Sequence, residues 1–352
     1  MKQRVTRIFS HLDEEPDAIV IMNGAVADAT FFYVTGYRNG LFEQSAAILY
    51  PDGSREVICP ELEATAAGPD AHIYHGREEK RALFEELLAA DTIGVNAPSI
   101  SHRDATWLHE ICSDASLVDI SSAIRQARMV KDAGELRVIR QACIIAADVA
   151  RELPAWLDDT VTESQVLAEI QYALGQRGAT PSFPPIVAFG EHSALPHYTT
   201  GQAARAWPAL VDFGARCHRY CSDITRTFVD GAEQEAVYET VRRGQQLALD
   251  MMRPGVEARD VHMAVDDFFT GAGYPSLPHG LGHSLGLEVH DGMSMGRESD
   301  VVLEEGMVVT VEPGIYLPGR WGIRIEDDVL VTRDGVDVLT GEGHAPFSPK
   351  SL

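Results

Sequence analysis

Short apolar runs and amphipathic stretches alternate along the first third of the chain. Apolar or β-branched runs, typical of strands, lie at Ala18–Met22, Phe31–Tyr37, Ser45–Tyr50, Arg55–Cys59 and Thr92–Val95. The turn Pro51-Asp52-Gly53 separates two of them and indicates a β-hairpin. Apolar residues at helical spacing predict helices at Glu78–Ala90 and Arg103–Cys112. Alternating strands and helices favour an α/β layer domain.

The rest of the chain separates long amphipathic helices from β-rich stretches. Helices are predicted at Glu135–Leu153, from Thr162 onward, at Glu235–Met252 and at Val261–Thr270. Thr162, followed three residues later by Gln165, fits a capping box. Helices segregated from antiparallel strands indicate an α+β domain. The polar segment Ser121–Glu135 marks the passage between the two, and we place the domains at residues 1–124 and 125–352.

Length, charge and cysteine usage narrow the class of protein. A chain of 352 residues is long for one core, and 45% hydrophobic residues predict a packed globular protein. The formal net charge of −24 disfavours nucleic acid and anionic membranes as partners, because both attract a basic surface. The N-terminal stretch lacks an apolar h-region, no apolar run approaches a membrane span, and five irregularly spaced cysteines indicate free thiols. A cytoplasmic protein is therefore expected.

Candidate chemistry begins in Ala209–Gly231, whose pattern predicts a strand–turn–strand hairpin. Asp212 lies in the first strand and Asp223 in the second. A hairpin can bring both carboxylates to one face and one point. Surface aspartates near a turn are the alternative interpretation.

A glycine-rich segment, HGLGHSLGLEVHD, concentrates three histidines: His279, His283 and His290. Glycines on either side of His283 allow the backbone to come close to whatever this histidine contacts. A single histidine is more often structural than a ligand, but three in one such segment favour a site.

The stretch Gly306–Val331 holds Glu312 and Glu326 inside apolar, β-branched runs. Buried carboxylates are costly unless they are paired or bind a metal, and two in neighbouring strands repel each other. Together with the two aspartates and His283 they form a donor set of four carboxylates and one imidazole. Such ligands suit Mn²⁺ or Mg²⁺, while the imidazole admits Zn²⁺, Co²⁺ or Fe²⁺. Four carboxylates balance two divalent ions better than one.

These residues resemble the pita-bread metallopeptidases, the family of methionyl aminopeptidase, aminopeptidase P and prolidase. The resemblance is carried by the order of the five candidate ligands and by the strings VDFGARCHRYCSDITRTF, HGLGHSLGLEVHD, TVEPGIY and GIRIEDDVLV, which are similar to segments of the Xaa-Pro branch. It covers Ala127–Val331. It implies an α+β pita-bread (creatinase/aminopeptidase-like) catalytic domain preceded by a smaller α/β creatinase-type N-terminal domain. In this family that domain commonly mediates dimerisation and shapes the active-site mouth.

The resemblance also implies a role for each ligand. Asp212 chelates one ion, His283 and Glu312 hold the other, and Asp223 and Glu326 bridge both. Glu312 is also the expected proton shuttle for the attacking water. Two divalent ions per subunit are expected, with manganese as the first choice and zinc or cobalt as alternatives.

Further residues match positions around the metal site of the family. His197 matches the histidine near the amine, and His290 matches the one that contacts the scissile carbonyl and stabilises the tetrahedral intermediate. Arg324 matches an arginine near the metals. His279 and Tyr220 are candidates for substrate binding, with packing roles as the alternative.

The implied reaction is metal-dependent hydrolysis of the Xaa-Pro bond at the N-terminus of a peptide. Prolidases often carry an arginine in a segment like HExPR, which suits the free carboxylate of a dipeptide. Here the segment His290–Met295 is HDGMSM, and Arg297 comes three residues beyond the expected position. We therefore favour an aminopeptidase P over an Xaa-Pro dipeptidase. Arg297, or Arg38 from a neighbouring subunit, could still bind a carboxylate.

Two rival interpretations come from other classes. A pita-bread protein that serves only as a binding module loses its ligands, whereas all five are present here. A creatinase-type amidinohydrolase works without metal and does not need this ligand set. A phosphotriesterase side activity stays open. The expected partners are peptides with proline at the second position and further copies of the same chain, in a homodimer or a higher homo-oligomer.

Overall fold

The computed structural model describes residues 1–341 and divides into two compact units, Met1–Arg128 and a second unit from Met129 onward. Within residues 1–341, none of the helices combines the length and the hydropathy that a membrane crossing requires.

The first unit is a mixed six-stranded sheet with helices between its strands. In chain order its elements are α1 (Lys2–Phe9), β1 (Ala18–Met22), α2 (Ala29–Thr35), β2 (Ala46–Leu49), β3 (Arg55–Pro60), α3 (Ala64–Ala67), β4 (His72–Tyr74), α4 (Arg77–Leu87), β5 (Thr92–Val95), α5 (His102–Ile111), β6 (Ser116–Asp119) and α6 (Ser121–Met129). The strands lie in the order β4-β3-β2-β1-β5-β6. The predicted hairpin is confirmed as the antiparallel pair β2–β3, and the alternation of strands and helices gives the predicted α/β layer.

The strand that the composition of Phe31–Tyr37 favours is wrong, because Ala29–Thr35 forms helix α2. The Asp28 carboxylate caps its first turn by accepting the Thr30 N–H at 2.7 Å. Gly36 ends it with φ 75°, a left-handed conformation that favours glycine. Six consecutive residues of the helix are buried, so tertiary packing outweighs their strand propensity.

As far as residue 341, the second unit combines five α-helices with four small antiparallel sheets. Its helices are α7 (Ala133–Ala150), α8 (Leu153–Trp156), α9 (Glu163–Gln176), α10 (Ala232–Met251) and α11 (Ala258–Gly271). Its strands are β7 (Thr180–Pro181), β8 (Ile186–Phe189), β9 (Ala209–Phe213), β10 (Ala215–Cys217), β11 (Tyr220–Cys221), β12 (Ile224–Phe228), β13 (Val308–Val311), β14 (Gly314–Leu317), β15 (Trp321–Arg324), β16 (Asp327–Thr332) and β17 (Gly335–Val338). The sheets are β11-β10-β7, β12-β9-β8, β13-β16-β17 and β14-β15.

Hydrophobic clusters on two sides of the described part of this unit pack its helices against its strands. One packs α7 and α9 against the β9–β12 hairpin, and the other packs α10 and α11 against β13 to β16. The predicted capping box of α9 is present, since the Gln165 side chain accepts the Thr162 N–H at 2.8 Å. The segregation of helices from antiparallel strands confirms an α+β unit.

Candidate metal centre

Two carboxylates come from the hairpin of β9 and β12. Asp212 in β9 lies opposite Thr225 in β12, and Asp223 immediately precedes β12. Residues opposite each other, and residues two apart on one strand, share a face of the sheet. Both aspartates are buried and line the same cavity. The predicted antiparallel pairing is confirmed, although the stretch is divided into the pairs β9–β12 and β10–β11 and Asp223 lies just before β12 rather than within a strand. The arrangement still delivers both carboxylates to one side.

Two more carboxylates come from the antiparallel pair β13–β16. Val311 pairs with Asp327; Glu312 follows the first and Glu326 precedes the second. The two glutamates thus lie at strand ends, beside each other, rather than within strands as the sequence predicts. The Glu326 N–H donates to the Thr225 carbonyl at 3.2 Å, which joins this ladder to the β9–β12 hairpin and brings all four carboxylates together.

The glycine before His283 allows its segment to lie directly against β13. A Cβ atom on Gly282 would be 2.0 Å from the Thr310 carbonyl oxygen, a separation that only glycine avoids. Thr310 in turn donates its N–H to the His283 carbonyl at 2.7 Å, and its hydroxyl accepts the His283 N–H at 3.0 Å. The close approach that the sequence predicts is made to the strand before Glu312.

The His283 ring presents one nitrogen to the carboxylates. Its Nδ1 atom is 3.3 Å from the Ser284 carbonyl oxygen, which favours a proton on Nδ1. The lone pair of Nε2 is then available to bind a cation. Nε2 lies 3.6 Å from Oδ2 of Asp223 and 3.6 Å from Oε1 of Glu312. One ligand atom each of Asp223, His283 and Glu326 lie within 4.8 Å of one another, a spacing suited to a common cation.

The charges of these carboxylates fit a divalent metal. Burial, and then the charges of Glu326 and Asp212, raises the pKa of Asp223 well above its usual range. Burial raises the pKa of Glu312 to about 7. Within residues 1–341, Oδ1 of Asp212 and Oδ1 of Asp223 are buried without a hydrogen-bond partner. Cations relieve both the repulsion and the missing contacts.

Arg324 connects Asp212, a candidate metal ligand, to the hydroxyl of Tyr316. It donates from Nη2 to Oδ2 of Asp212 at 2.6 Å, from Nε to the Thr225 hydroxyl at 3.1 Å, and from Nη1 to the Tyr316 hydroxyl at 2.7 Å. A guanidinium only donates, so the Tyr316 proton is available for Nε2 of His279, 2.9 Å away. Nδ1 of His279 then donates to the Gly280 carbonyl oxygen at 2.8 Å. Arg324 and His279 are therefore joined through a hydroxyl to which the sequence assigned no role.

Two residues missed from the sequence complete this network. The Thr225 hydroxyl donates to Oε2 of Glu326 at 2.7 Å, and Tyr316 joins Arg324 to His279. Thr225 follows Asp223 by two residues, so strand periodicity was a signal that could have found it. The position of Tyr316 depends on the pairing of β14 with β15, which no local pattern indicates.

The five predicted ligands line one cavity of about 530 Å³. Four further predicted site residues also line it: His197, His279, His290 and Arg324. His197 and His290 are exposed, and the His290 ring lies 4.3 Å from the ring of His283. The carboxylates thus form the floor of the cavity, while His197 and His290 lie at its exposed edge.

Two residues considered from the sequence lie elsewhere in the described chain. Tyr220 is not among the residues that line the cavity; it is buried, and its hydroxyl donates to the Glu135 carboxylate at 3.1 Å. Substrate binding by Tyr220 is therefore dropped in favour of its packing alternative. Arg297 is likewise outside the lining and donates to Asp266 at 2.8 Å.

Known proteins share both units of this chain. Residues 137–333 match the metallopeptidase family M24, and residues 4–130 match the creatinase/prolidase N-terminal domain. A protein of Bacillus subtilis (strain 168), named "Putative dipeptidase YkvY", is 35% identical over 96% of this chain and 97% of its own length.

Solved structures agree with this assignment. The X-Pro aminopeptidase from Thermotoga maritima MSB8 superposes with a TM-score of 0.88 at 30% identity, covering 98% of this chain and 99% of that one. The Xaa-Pro dipeptidase from Bacillus anthracis gives 0.88 at 28% identity, covering 96% and 97%. The fold expected from the resemblance is confirmed. With a family match over more than half of its length, and relatives matched along nearly all of it, the chain belongs to metallopeptidase family M24 and carries a creatinase/prolidase-type N-terminal domain.

Proposed function

We propose that the protein is an Xaa-Pro aminopeptidase that binds two divalent metal ions. The observation that carries the proposal is the set of four carboxylates and one imidazole on the cavity floor, with two buried carboxylate oxygens that have no partner within residues 1–341. The proposed ligands are Asp212, Asp223, His283, Glu312 and Glu326. Manganese is the metal we propose first, with zinc and cobalt as alternatives.

When bound, the ions would supply an activated water at neutral pH and polarise the scissile carbonyl. The protein residues around them divide the remaining work. Glu312, a cavity-lining carboxylate whose Oε1 lies 3.6 Å from Nε2 of His283, is the group that we assign to take a proton from the attacking water and return it to the amine. His197 and His290 lie in the cavity wall, where we assign them to the amine and to the scissile carbonyl. Arg324 holds Asp212 through its 2.6 Å contact.

The cavity wall supports aminopeptidase over dipeptidase activity. Among the described lining residues Arg324 alone is an arginine and lysine is absent, and this guanidinium already donates to Asp212, Thr225 and Tyr316. Arg297 is bound to Asp266. A dipeptidase needs a cation for the free carboxylate of its substrate, and the described lining offers no arginine or lysine that is not already engaged.

The second candidate is an Xaa-Pro dipeptidase. It is favoured by the dipeptidase names of the Bacillus subtilis relative and of the Bacillus anthracis structure. A histidine at the exposed edge, or a residue from another subunit, would then have to meet the carboxylate.

Three matched substrates separate the two candidates: an Xaa-Pro dipeptide, its C-terminal amide and an Xaa-Pro-Yaa tripeptide. The metal-depleted protein is reloaded with Mn²⁺, Co²⁺ or Zn²⁺ in turn, and kcat/KM is measured for each substrate. An aminopeptidase cleaves the amide and the tripeptide at least as well as the dipeptide. Cleavage of the dipeptide alone would establish the second candidate, and a metal-loaded protein that cleaves none of them would reject both. A peptide without proline is the control for specificity.

Location and assembly stay predictions. Within residues 1–341 the five cysteines, Cys59, Cys112, Cys143, Cys217 and Cys221, form no disulfide, which is consistent with the cytoplasmic location we propose. We also propose a homodimer or a higher homo-oligomer, which sedimentation or light scattering of the purified protein would test.

A further inference from the structure

The side chain of His197 is not held at the cavity by a hydrogen bond within residues 1–341. The residue is also exposed. Its position therefore depends on the backbone that carries it, residues 189–201, which we call the His197 segment. Phe189 is the last residue of β8, and Gly190–Ala194 forms a short 3₁₀ turn, but the rest of the segment has no regular structure. Side-chain hydrogen bonds therefore contribute strongly to its course.

One buried carboxylate supplies four of these side-chain hydrogen bonds. Glu163, the first residue of α9, is fully buried, with 0% of its surface exposed. Its Oε1 atom accepts the Phe189 N–H at 2.9 Å and Nδ1 of His192 at 2.8 Å. Its Oε2 atom accepts the Tyr198 hydroxyl at 2.9 Å and the Gly201 N–H at 3.1 Å. Each oxygen thus receives two donors, and all four donors belong to the His197 segment.

The four donors are spread along the whole segment. Phe189 and Gly201 are its two ends, while His192 and Tyr198 lie inside and stack their rings 4.5 Å apart. A Cβ atom on Gly201 would lie 2.9 Å from the Tyr198 hydroxyl, so the backbone closes tightly on this arrangement. A single carboxylate therefore clamps both ends and the middle of the segment.

The opposite side of the segment is fixed independently. The Ser193 hydroxyl accepts the Gly322 N–H at 2.9 Å and donates to the Gly190 carbonyl oxygen at 2.6 Å. Gly322 belongs to β15, the strand that ends at Arg324. The His197 segment is thus held between α9 and the strand that carries the arginine of the metal centre.

We infer that Glu163 is a positioning residue that acts through His197. Its carboxylate lies outside the cavity lining and has no direct role in the chemistry. It fixes the backbone that places His197, and with it Pro196, in the cavity wall. The catalytic part of this inference rests on the proposed function, in which His197 meets the amine.

The first test follows the backbone and needs neither metal nor substrate. In metal-free protein we compare hydrogen exchange of residues 189–201 in the wild type, Glu163→Gln and Glu169→Gln. Glu169 is an exposed glutamate on the same helix and serves as the matched control. A glutamine places an NH₂ group against two donors, so exchange at Phe189 or Gly201 rises in Glu163→Gln alone. Unchanged protection in that variant would overturn the inference, whatever the protein cleaves.

The second test follows catalysis on the best Xaa-Pro substrate. Misplacing a group by about 1 Å costs up to roughly 100-fold in rate, so we expect Glu163→Gln to lower kcat by about tenfold or more. KM should change little, because the contact to the amine strengthens as the bond breaks. The double variant Glu163→Gln/His197→Ala should be no slower than His197→Ala, since both changes remove one function. Effects that multiply would overturn the inference.

A milder variant keeps the inference testable if Glu163→Gln folds poorly. Tyr198→Phe removes one of the four hydrogen bonds to Glu163 and should lower kcat roughly threefold to tenfold with the fold intact. A Tyr198→Phe protein with unchanged kcat and unchanged protection would count against the clamp. A wild-type protein that cleaves no Xaa-Pro peptide would instead overturn the proposed function and the catalytic part of the inference, while loss of protection in Glu163→Gln would still support the anchoring.

Discussion

Arg324 donates from Nη2 to Oδ2 of Asp212 across a distance of 2.6 Å, and both side chains are buried. Oδ1 of the same aspartate has no hydrogen-bond partner within residues 1–341. The arginine therefore orients the carboxylate so that one oxygen is satisfied by the protein and the other faces the proposed cations. A partner of this kind fixes a ligand's direction as well as its charge.

Replacing Arg324 by lysine should separate charge from geometry. Lysine keeps the positive charge but cannot reach Asp212, Thr225 and Tyr316 at once, because it lacks the planar fork. We expect kcat/KM to fall by about 10- to 100-fold and the free energy of unfolding to fall by about 1–3 kcal/mol. Peptidase kinetics and urea denaturation measure the two effects. Arg320→Lys, at an exposed arginine in the β14–β15 connection, is the control and should behave like the wild type.

Replacing Asp223 by asparagine should abolish turnover without unfolding the protein. The wild type is expected to gain about 2.7 kcal/mol of stability when a metal is present at 100 times its Kd, because only the folded state binds it. Asp223→Asn should lose that gain. Its metal-free form should be at least as stable as the wild type, because one of several mutually repelling buried carboxylates is neutralised. Metal content and thermal unfolding with and without EDTA test this, and near-wild-type activity would refute the ligand assignment.

Metal-free protein should lose stability between pH 6.5 and pH 8. Burial raises the pKa of Glu312 to about 7 and that of Asp328 to about 8, above the usual value of about 4 in the unfolded chain. The stability contributed by these groups is complete below the unfolded pKa and is lost as the pH rises through the folded values. Together they account for a loss of about 2 kcal/mol over this range.

Two histidines act in the opposite direction, but at lower pH. Burial lowers the pKa of His279 and of His283 to about 4, so most of their effect on stability falls between pH 4 and pH 6.5, and each adds only about 0.4 kcal/mol between pH 6.5 and pH 8. Denaturation curves at pH 6.5 and pH 8, with EDTA, therefore follow mainly the carboxylates, and the net expected change is still a loss of stability. Bound metal holds the carboxylates ionised, so the stabilisation by metal should grow as the pH rises. A metal-free protein that is more stable at pH 8 would contradict the assignment of these shifts.

The ligand set could be predicted because its residue types are unusual where they occur. Glu312 and Glu326 interrupt apolar runs, and Asp212 and Asp223 flank one hairpin turn, so each signal is local in the chain. The resemblance then assigned them to one site. No local pattern indicates the backbone bridge from Glu326 to Thr225. This bridge forms because the β9–β12 and β13–β16 pairs, which are distant in sequence, lie next to each other in the fold.

The residue that positions His197 was missed for the same reason. Glu163 has the appearance of an ordinary first-turn glutamate of a capped helix, and its four partners lie 26 to 38 residues away.

At helix α2 the sequence did contain the deciding signals, but the strand prediction did not use them. Its composition favours a strand, and Asp28 and Gly36 are the capping signals that outweigh it.

Asp266 on α11 joins the two ends of the segment that forms half of the cavity lining. Its carboxylate accepts the Leu277 N–H at 2.7 Å, the Ser276 hydroxyl at 2.7 Å and Nη2 of Arg297 at 2.8 Å. Between these contacts the chain contributes His279, Gly280, Gly282, His283, Val289, His290, Gly292, Met293 and Ser294 to the cavity.

Asp266→Asn should therefore impair the metal centre from a distance. An asparagine keeps one acceptor but turns an NH₂ group toward donors, so we expect the free energy of unfolding to fall by about 1–3 kcal/mol and kcat/KM to fall roughly tenfold as the histidines shift. Asp267, the next residue, is exposed, and Asp267→Asn should stay within about 0.5 kcal/mol of the wild type. Urea denaturation and kinetics of both variants measure the difference. Equal effects in the two would show that Asp266 contributes charge to the surface of α11 rather than holding the segment closed, because only the buried carboxylate contacts both of its ends.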